Sequence, residues 1–332
     1  MAVVKSIFKH FLAFLLAIFV TGFPYAGIKA PVVKTLDDDC LLNVQLLSDT
    51  HLEEKELFRQ SFLKTGLKNI SRSKSPIDAI FVTGDITNYA DEPSLAKYFD
   101  IISEYSPVPV ITASGNHDIG HAGDRDKTTI TREEARDNFI RYRNEYMGRN
   151  DTVNYFSTEI NGYKIIVMGD EVIDGGHWDA ISMTQEQLDF IDRELAEGTK
   201  DGKPAFVLSH WPLDGINGED IIWDGSGIAQ DEYDVQSILE KYDNVFYISG
   251  HMHAGIKAKA IDNMYGLSNA EQVNGVTYLN LPTYGIINMF GAPWSGIGAQ
   301  LEVYEDEVVF RPRNFITNNW YENAEYHYEL VK

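Results

Sequence analysis

Residues 41–51, LLNVQLLSDTH, run from a short apolar stretch straight into an acid and an imidazole. The same plan returns at 78–85 (DAIFVTGD) and 108–118 (VPVITASGNHD), and again at 205–210 (AFVLSH) and 245–253 (VFYISGHMH). Each run is too short for an ordinary helix and too continuously apolar for a strand with one wet face, so strands buried on both faces are expected. Between them lie helical patterns. Leu57, Phe58, Phe62, Leu63, Leu67 and Ile70 recur at helical spacing within Glu53–Ser71, and Glu92–Tyr105 and Arg132–Met147 read as two more helices. Thr184–Leu195 reads as a helix opened by Thr184 with Gln187 three residues on, a capping-box pattern. Tyr163–Met168 is a further strand, and from Val276 onward, including Gln300–Tyr304 and Val308–Arg311, the chain reads as consecutive strands. Alternating β and α units followed by a β-rich end predict an α/β fold with a mixed sheet. With no internal repeat or low-complexity linker, one domain is the simpler reading.

Composition narrows the class. Of 332 residues, 44% are hydrophobic and 23% charged, which suits a globular chain with a sizeable core and excludes disordered, collagenous and disulfide-scaffold proteins. Lys plus Arg number 28 against 50 Asp plus Glu, a net charge of −22 that repels the phosphate backbone, so no general nucleic-acid binding is expected. The lone cysteine, Cys40, cannot form an internal disulfide.

The N-terminus carries a targeting pattern. Residues 1–30 hold Lys5, Lys9 and Lys29 and no acid, with an unbroken apolar run from Phe11 to Val20 and small residues at Gly22, Ala26, Gly27 and Ala30. A basic start, a short apolar stretch and a small-residue exit describe a secretory signal. The uncharged stretch Phe11–Ile28 is 18 residues long, so it also reaches the length of an uncleaved anchor, although Gly22, Pro24 and Gly27 weaken its last third. Residues 1–30 are therefore read as a signal peptide or N-terminal membrane anchor, and 31–332 as the folded domain. The expected location is outside the cytoplasm, with membrane contact only through the N-terminus. Asp37–Asp39 reads as a solvated turn after the export segment.

The polar residues carry the chemistry. The strand ends deliver seven candidate ligands, Asp49, His51, Asp85, Asn116, His210, His251 and His253, with His117 and Asp118 next to Asn116. In α/β sheets the carboxyl ends of strands are where ligands bind. A gathering of acids and imidazoles on one edge cannot be buried without a cation. Carboxylate with imidazole suits Zn, Mn or Fe, and the near absence of cysteine argues against a thiolate site. Seven candidate ligands are too many for one tetrahedral ion and suit two ions sharing a bridging carboxylate. Gly84, Gly115 and Gly250 fit sharp turns beside the metals. Taken alone, each Asp-x-His or Gly-Asp pair is an ordinary strand-to-loop turn, as Gly169-Asp170 is read here.

DTH (49–51), GD (84–85), GNHD (115–118), His210 and GHMH (250–253) together, and in this order, resemble the calcineurin-like metallophosphoesterases. The resemblance runs from about Leu41 through the C-terminal strands. It implies a four-layer αββα sandwich, two mixed β-sheets flanked by helices, around a dinuclear centre of Mn, Fe or Zn. Carried over by position, it places Asp49, His51 and His253 on one metal and Asn116, His210 and His251 on the other. Asp85 would bridge both, His117 would face the leaving-group oxygen, and Asp118 would orient that imidazole. The spacing and the SHWP sequence at 209–212 are most similar to the bacterial class III cyclic nucleotide phosphodiesterases. Purple acid phosphatases fit less well, because they place Gly where His51 stands and a ligand Tyr where Asn88 stands.

The implied reaction is hydrolysis of small phosphate esters, phosphodiesters above monoesters, by a metal-bridging hydroxide, with no covalent enzyme intermediate. A phosphomonoesterase acting outside the cytoplasm and a non-catalytic metal-binding protein on the same fold are the alternatives. Among weaker candidates, His121 reads as a solvated loop residue, and His177, Trp178, Trp211 and Tyr284 as packing ahead of cleft lining. Asn288–Gly298 (NMFGAPWSGIG) is the expected specificity loop.

Overall fold

The computed structural model describes residues 39–120, 130–169, 183–228, 232–257 and 266–332. The export segment, Asp37, Asp38, His121, Asp170, His177 and Trp178 lie outside these residues. Among the described residues no helix is long and apolar enough to cross a membrane.

Thirteen strands form two mixed sheets among the described residues. In the first, β1 (Leu42–Leu47), β2 (Ala79–Thr83) and β3 (Val110–Ala113) run parallel. Beyond β1 the sheet continues antiparallel through β10 (Ile297–Val303) and β11 (Glu307–Asn314), with β12 (Asn319–Trp320) and β13 (Tyr326–Glu329) both pairing with β11. The second sheet runs in the order β4 (Phe156–Ile160), β5 (Tyr163–Val167), β6 (Ala205–Leu208), β7 (Val245–Ser249), β9 (Val276–Asn280) and β8 (Ala270–Val273). Its inner four are parallel and its two edges antiparallel.

Side-chain alternation sorts these strands into layers. Leu42, Val44, Leu46, Ala79 and Phe81 of the first sheet face Phe206, Leu208, Phe246 and Ile248 of the second, and this is the core between the sheets. Alternate residues Leu47, Ile80 and Val82 face outward onto α1 (Leu57–Ile70) and α2 (Glu92–Tyr105). Ala205, Val207, Val245 and Tyr247 face α4 (Gln185–Gly198) and α6 (Glu232–Leu239) on the other side. Both faces of the central strands are therefore buried, which is why they read as unbroken apolar runs. The result is the expected four-layer sandwich.

Helix boundaries follow caps. α2 matches its expected limits, with Asp91 accepting from Ser94 N, and α3 (Arg132–Met147) opens on a full capping box between Thr131 and Glu134. α1 begins at Leu57, four residues later than expected, because Glu56 caps it and residues 51–56 are given over to the loop carrying His51. At α4, Thr184 does cap Gln187 N, at 3.3 Å. The Gln187 side chain, however, turns away to bond both the N–H and the carbonyl of Gly169, so the reciprocal half of that box is absent. A short helix α5 (Glu219–Ile222) interrupts the segment between β6 and α6.

Phe81 and Phe206 meet across the inter-sheet core with ring centroids 6.5 Å apart, and both are fully buried. Truncating Phe81 to Ala is expected to cost about 3–5 kcal/mol, read as a loss of unfolding free energy in denaturant titration. A loss below about 1 kcal/mol would contradict this packing.

Candidate metal centre

The carboxyl ends of β1, β2, β3, β6 and β7 converge on one edge shared by both sheets, and each delivers its polar cluster there. Asp49, His51, Asp85, Asn116, His210 and His251 are at most 3% exposed, and His253 is partly buried. Asp85 sits in the middle. Its Oδ2 lies 3.3 Å from His210 Nε2, 3.7 Å from His51 Nε2 and 3.9 Å from His117 Nε2. Asp49 Oδ1 lies 3.0 Å from His253 Nε2, which faces His51 Nε2 at 3.0 Å. Asp49, His51, Asp85 and His253 can each offer one ligand atom, all within 4.8 Å of one another. On the other side of Asp85, His210 Nε2 lies 3.0 Å from Asn116 Oδ1 and 3.2 Å from His251 Nδ1.

The backbone is forced into place to do this. Five of the seven candidate ligands, Asp49, His51, Asp85, His251 and His253, have φ between 45° and 71°. Non-glycine residues there cost about 1 kcal/mol or more each and persist only where surrounding bonds hold them. Those bonds are present. Asp49 N donates to the Gly84 carbonyl (3.0 Å), His51 N to that of Asp85 (2.9 Å) and Leu52 N to that of Ile86 (2.9 Å), so the loops continue the β1–β2 pairing past the strand ends. Thr283 Oγ1 donates to the Asp49 carbonyl at 2.9 Å. Of the three glycines expected at sharp turns, Gly84 does adopt a positive φ (88°). Gly115 serves another purpose, since a Cβ there would collide with the Asp85 carboxylate.

Burial disfavours charge throughout the cluster, so only groups with partners keep it. Burial drives His51 and His251 down to about 3, leaving their imidazoles neutral. Against the same burial, the Asp85 carboxylate holds His210 up at about 9. Asp49 is held at about 2, because His253 and His210 outweigh burial, and Asp85 lies well below the usual carboxylate range through His210 and His117. Buried nitrogens His51 Nδ1 and His251 Nε2 have no hydrogen-bond partner. Carboxylates, imidazoles and an amide oxygen converge here, which is a donor set for cations of the Mn, Fe or Zn type.

Residues 42–255 match the family model described as calcineurin-like phosphoesterase. The chain belongs to this family. A search of curated proteins finds no match. Among solved structures, the fold is similar to that of a dimetal phosphatase from Danio rerio, with a TM-score of 0.60, 14% identity, and coverage of 88% of this chain and all of that one. It is also similar to a purple acid phosphatase from yellow lupin (Lupinus luteus) seeds, with a TM-score of 0.54 and 13% identity, over 86% of this chain and 53% of that one.

In this calcineurin-like phosphoesterase Asp49, His51, Asp85 and His253 form a candidate metal-binding group, and Asn116, His210 and His251 lie together on the other side of Asp85. The outer residues differ from expectation in one role. The His117 ring is oriented by the backbone carbonyl of Asn88, which accepts from Nδ1 at 2.8 Å, not by Asp118. The Asp118 carboxylate instead accepts from the N–H groups of Ile86, Thr87 and Gly115 and from the Thr87 hydroxyl. It thus ties the β3 loop to the β2 loop, with burial and then the Asp85 charge raising it to about 7. The Asn88 side chain is held by Glu53.

Trp211 is buried edge-on to His210, and Tyr284 is buried against Phe315 with its hydroxyl donating to the Phe62 carbonyl, so both pack and neither lines a cleft. In the 288–298 loop, the Asn288 side chain bonds Thr283 and Trp294, and Met289 N donates to the His253 carbonyl, which makes the loop a brace for a ligand. Two residues escaped the sequence reading. Thr283 carries no motif at all. Trp223 packs beside His251 and His253, and its one signal is an aromatic set among glycines and acids between two ligand histidines.

The segment bearing Trp223 is held by Glu219, a buried carboxyl bonded to Ser226 N. Burial and a hydrogen bond that the protonated carboxyl donates to Asp214 raise Glu219 from 4.5 to about 7. A group raised on folding contributes stability that is complete below its unfolded pKa and lost as pH rises through the folded one. Apparent stability should therefore fall between about pH 4.5 and 7. Glu219→Gln should flatten that limb in denaturant titrations run across this range, and an unchanged limb would show that another group causes it.

Proposed function

We propose that the protein hydrolyses small phosphate esters outside the cytoplasm, phosphodiesters above monoesters, using two metal ions. The observation that carries this reading is the buried Asp85 carboxylate flanked by two ligand sets, with the partly exposed His117 beside it. When bound, two cations supply charge neutralisation on the phosphate oxygens and activation of water. The chain's own residues supply the rest. Asn88 fixes the His117 tautomer by taking Nδ1–H, so Nε2 is the ring nitrogen free to exchange a proton with the departing oxygen. Trp211, Thr283 and the 288–298 loop hold the ligand histidines and Asp49 in place without touching phosphate.

The diester preference is supported by similarity in spacing and in SHWP (209–212) to class III cyclic nucleotide phosphodiesterases, and by Asn88 standing where purple acid phosphatases carry tyrosine. The location is supported by the basic, apolar and small-residue order of residues 1–30. Fractionating cells that express the full chain tests it, since cytoplasmic recovery would contradict export.

The activity test uses full-length protein stripped with chelator and resupplied with Mn, Zn or Fe. Bis(p-nitrophenyl) phosphate is compared with p-nitrophenyl phosphate, and Asp85→Ala serves as the blank. Restored diester cleavage exceeding monoester cleavage is expected. Dominant monoester cleavage would make the protein a phosphatase, and two bound metals without activity would make it a binding protein.

His117→Ala should keep its metal content yet lose about 10²–10⁴-fold in kcat on alkyl esters, whose departing oxygen needs a proton. The loss should be far smaller on p-nitrophenyl esters. Equal losses on both, or loss of metal, would remove the proton-donor role.

A further inference from the structure

Trp223 has one side against the metal centre and the other toward solvent. Its ring lies 5.5 Å from that of His251 and 5.6 Å from that of His253, at 74° and 59°, and the residue is 37% exposed. The placement is built. Trp223 N donates to the Glu219 carbonyl, Ser226 N bonds both the Trp223 carbonyl and the Glu219 carboxyl, and Asn217 N donates to Glu271 on β8. The indole thus stands beside two of the candidate ligand histidines with a solvent-facing part, a place where a substituent carried on a phosphate at the metal centre would meet it.

Charge decides which substituent suits it. From residue 204 to 240 the sequence has no lysine or arginine and eight acids, and Asp220 and Asp224, flanking Trp223, are exposed. A second phosphate or a carboxylate on the substrate would meet like charge from this segment, which has no lysine or arginine of its own to offset it. An indole face in a negative field favours an alkylammonium, which tryptophan attracts through its ring quadrupole.

We propose that Trp223 is a specificity-determining residue, and that it selects phosphodiesters carrying an ammonium group on a short alkyl arm. The inference rests on the phosphodiester reading above. The test uses three p-nitrophenyl diesters with the same leaving group, whose second substituent is choline, its uncharged isostere 3,3-dimethylbutyl, or thymidine through its 5′ oxygen. Wild type, Trp223→Ala and Trp223→Phe are compared at measured metal content.

The expected result is that wild type prefers the choline ester to the isostere about tenfold in kcat/KM, mainly through KM. Trp223→Ala should abolish that preference, and Trp223→Phe should retain part of it. Equal use of choline ester and isostere by wild type overturns the proposal without needing any variant. So does a Trp223→Ala loss greatest on the thymidine ester, which would mean stacking of a neutral ring. An equal loss on all three esters, with or without loss of metal, would reduce Trp223 to a support for His251 and His253. If wild type with metal cleaves none of the diesters, the phosphodiester reading fails and this inference falls with it.

Discussion

A buried carboxylate at the seam of two sheets is the constraint on which the rest of the site depends. Asp85 is 1% exposed, and a carboxylate so placed is tolerable only with charged or hydrogen-bonding partners on every side. Its partners come from both sheets, His51 and His117 from the first and His210 from the second. The parallel strands of both sheets must therefore end on a common edge, and Gly115 must lack a side chain so that its loop can close over the carboxylate. The sandwich core fixes the strands, and the strands fix where the ligands meet.

Holding those ligands takes local strain and a second ring of residues. Left-handed backbone at five candidate ligands aims side chains that a relaxed strand end would point elsewhere. The bonds opposing that strain come from groups that touch no phosphate, namely the carbonyls of Gly84 and Asp85, the hydroxyl of Thr283 and the amides gripped by Asp118. Such outer residues set ligand orientation. Asp118 illustrates the principle. A carboxylate next to the motif histidine serves to join two loops, while a plain backbone carbonyl sets the imidazole.

Family membership accounts for the chemistry common to these sites, and the segments after the strand ends account for what differs. The stretch between β6 and α6 and the loop after β9 both border the ligand histidines, one presenting Trp223 and the other bracing His253. Loops on a rigid scaffold are where selectivity can change without disturbing the fold. The strong negative charge of the first of these segments is the ground for proposing that it discriminates among substituents.

The sequence by itself determined the buried parallel strands and named seven candidate ligands, and the motifs at the strand ends carried the resemblance that implied four layers. Apolar runs such as 78–83 report burial on both faces, and an acid or imidazole at the end of each is a local pattern that needs no coordinates. Helix limits were legible where caps are local, as at α2, and shifted where a loop had another task, as before α1. Only the tertiary structure decided which atoms meet. The Asn88 carbonyl lies 29 residues from His117 and looks like any other carbonyl in a sequence. Gln187 satisfies Gly169 instead of its own helix end because the fold brings Gly169 within reach. Trp223 joins the site because Glu219 pins its turn, and Tyr284 leaves it because its hydroxyl finds the Phe62 carbonyl. Residue type sets which chemistry a chain can perform, whereas contacts between distant segments follow from packing, and packing carries no signature in the order of residues.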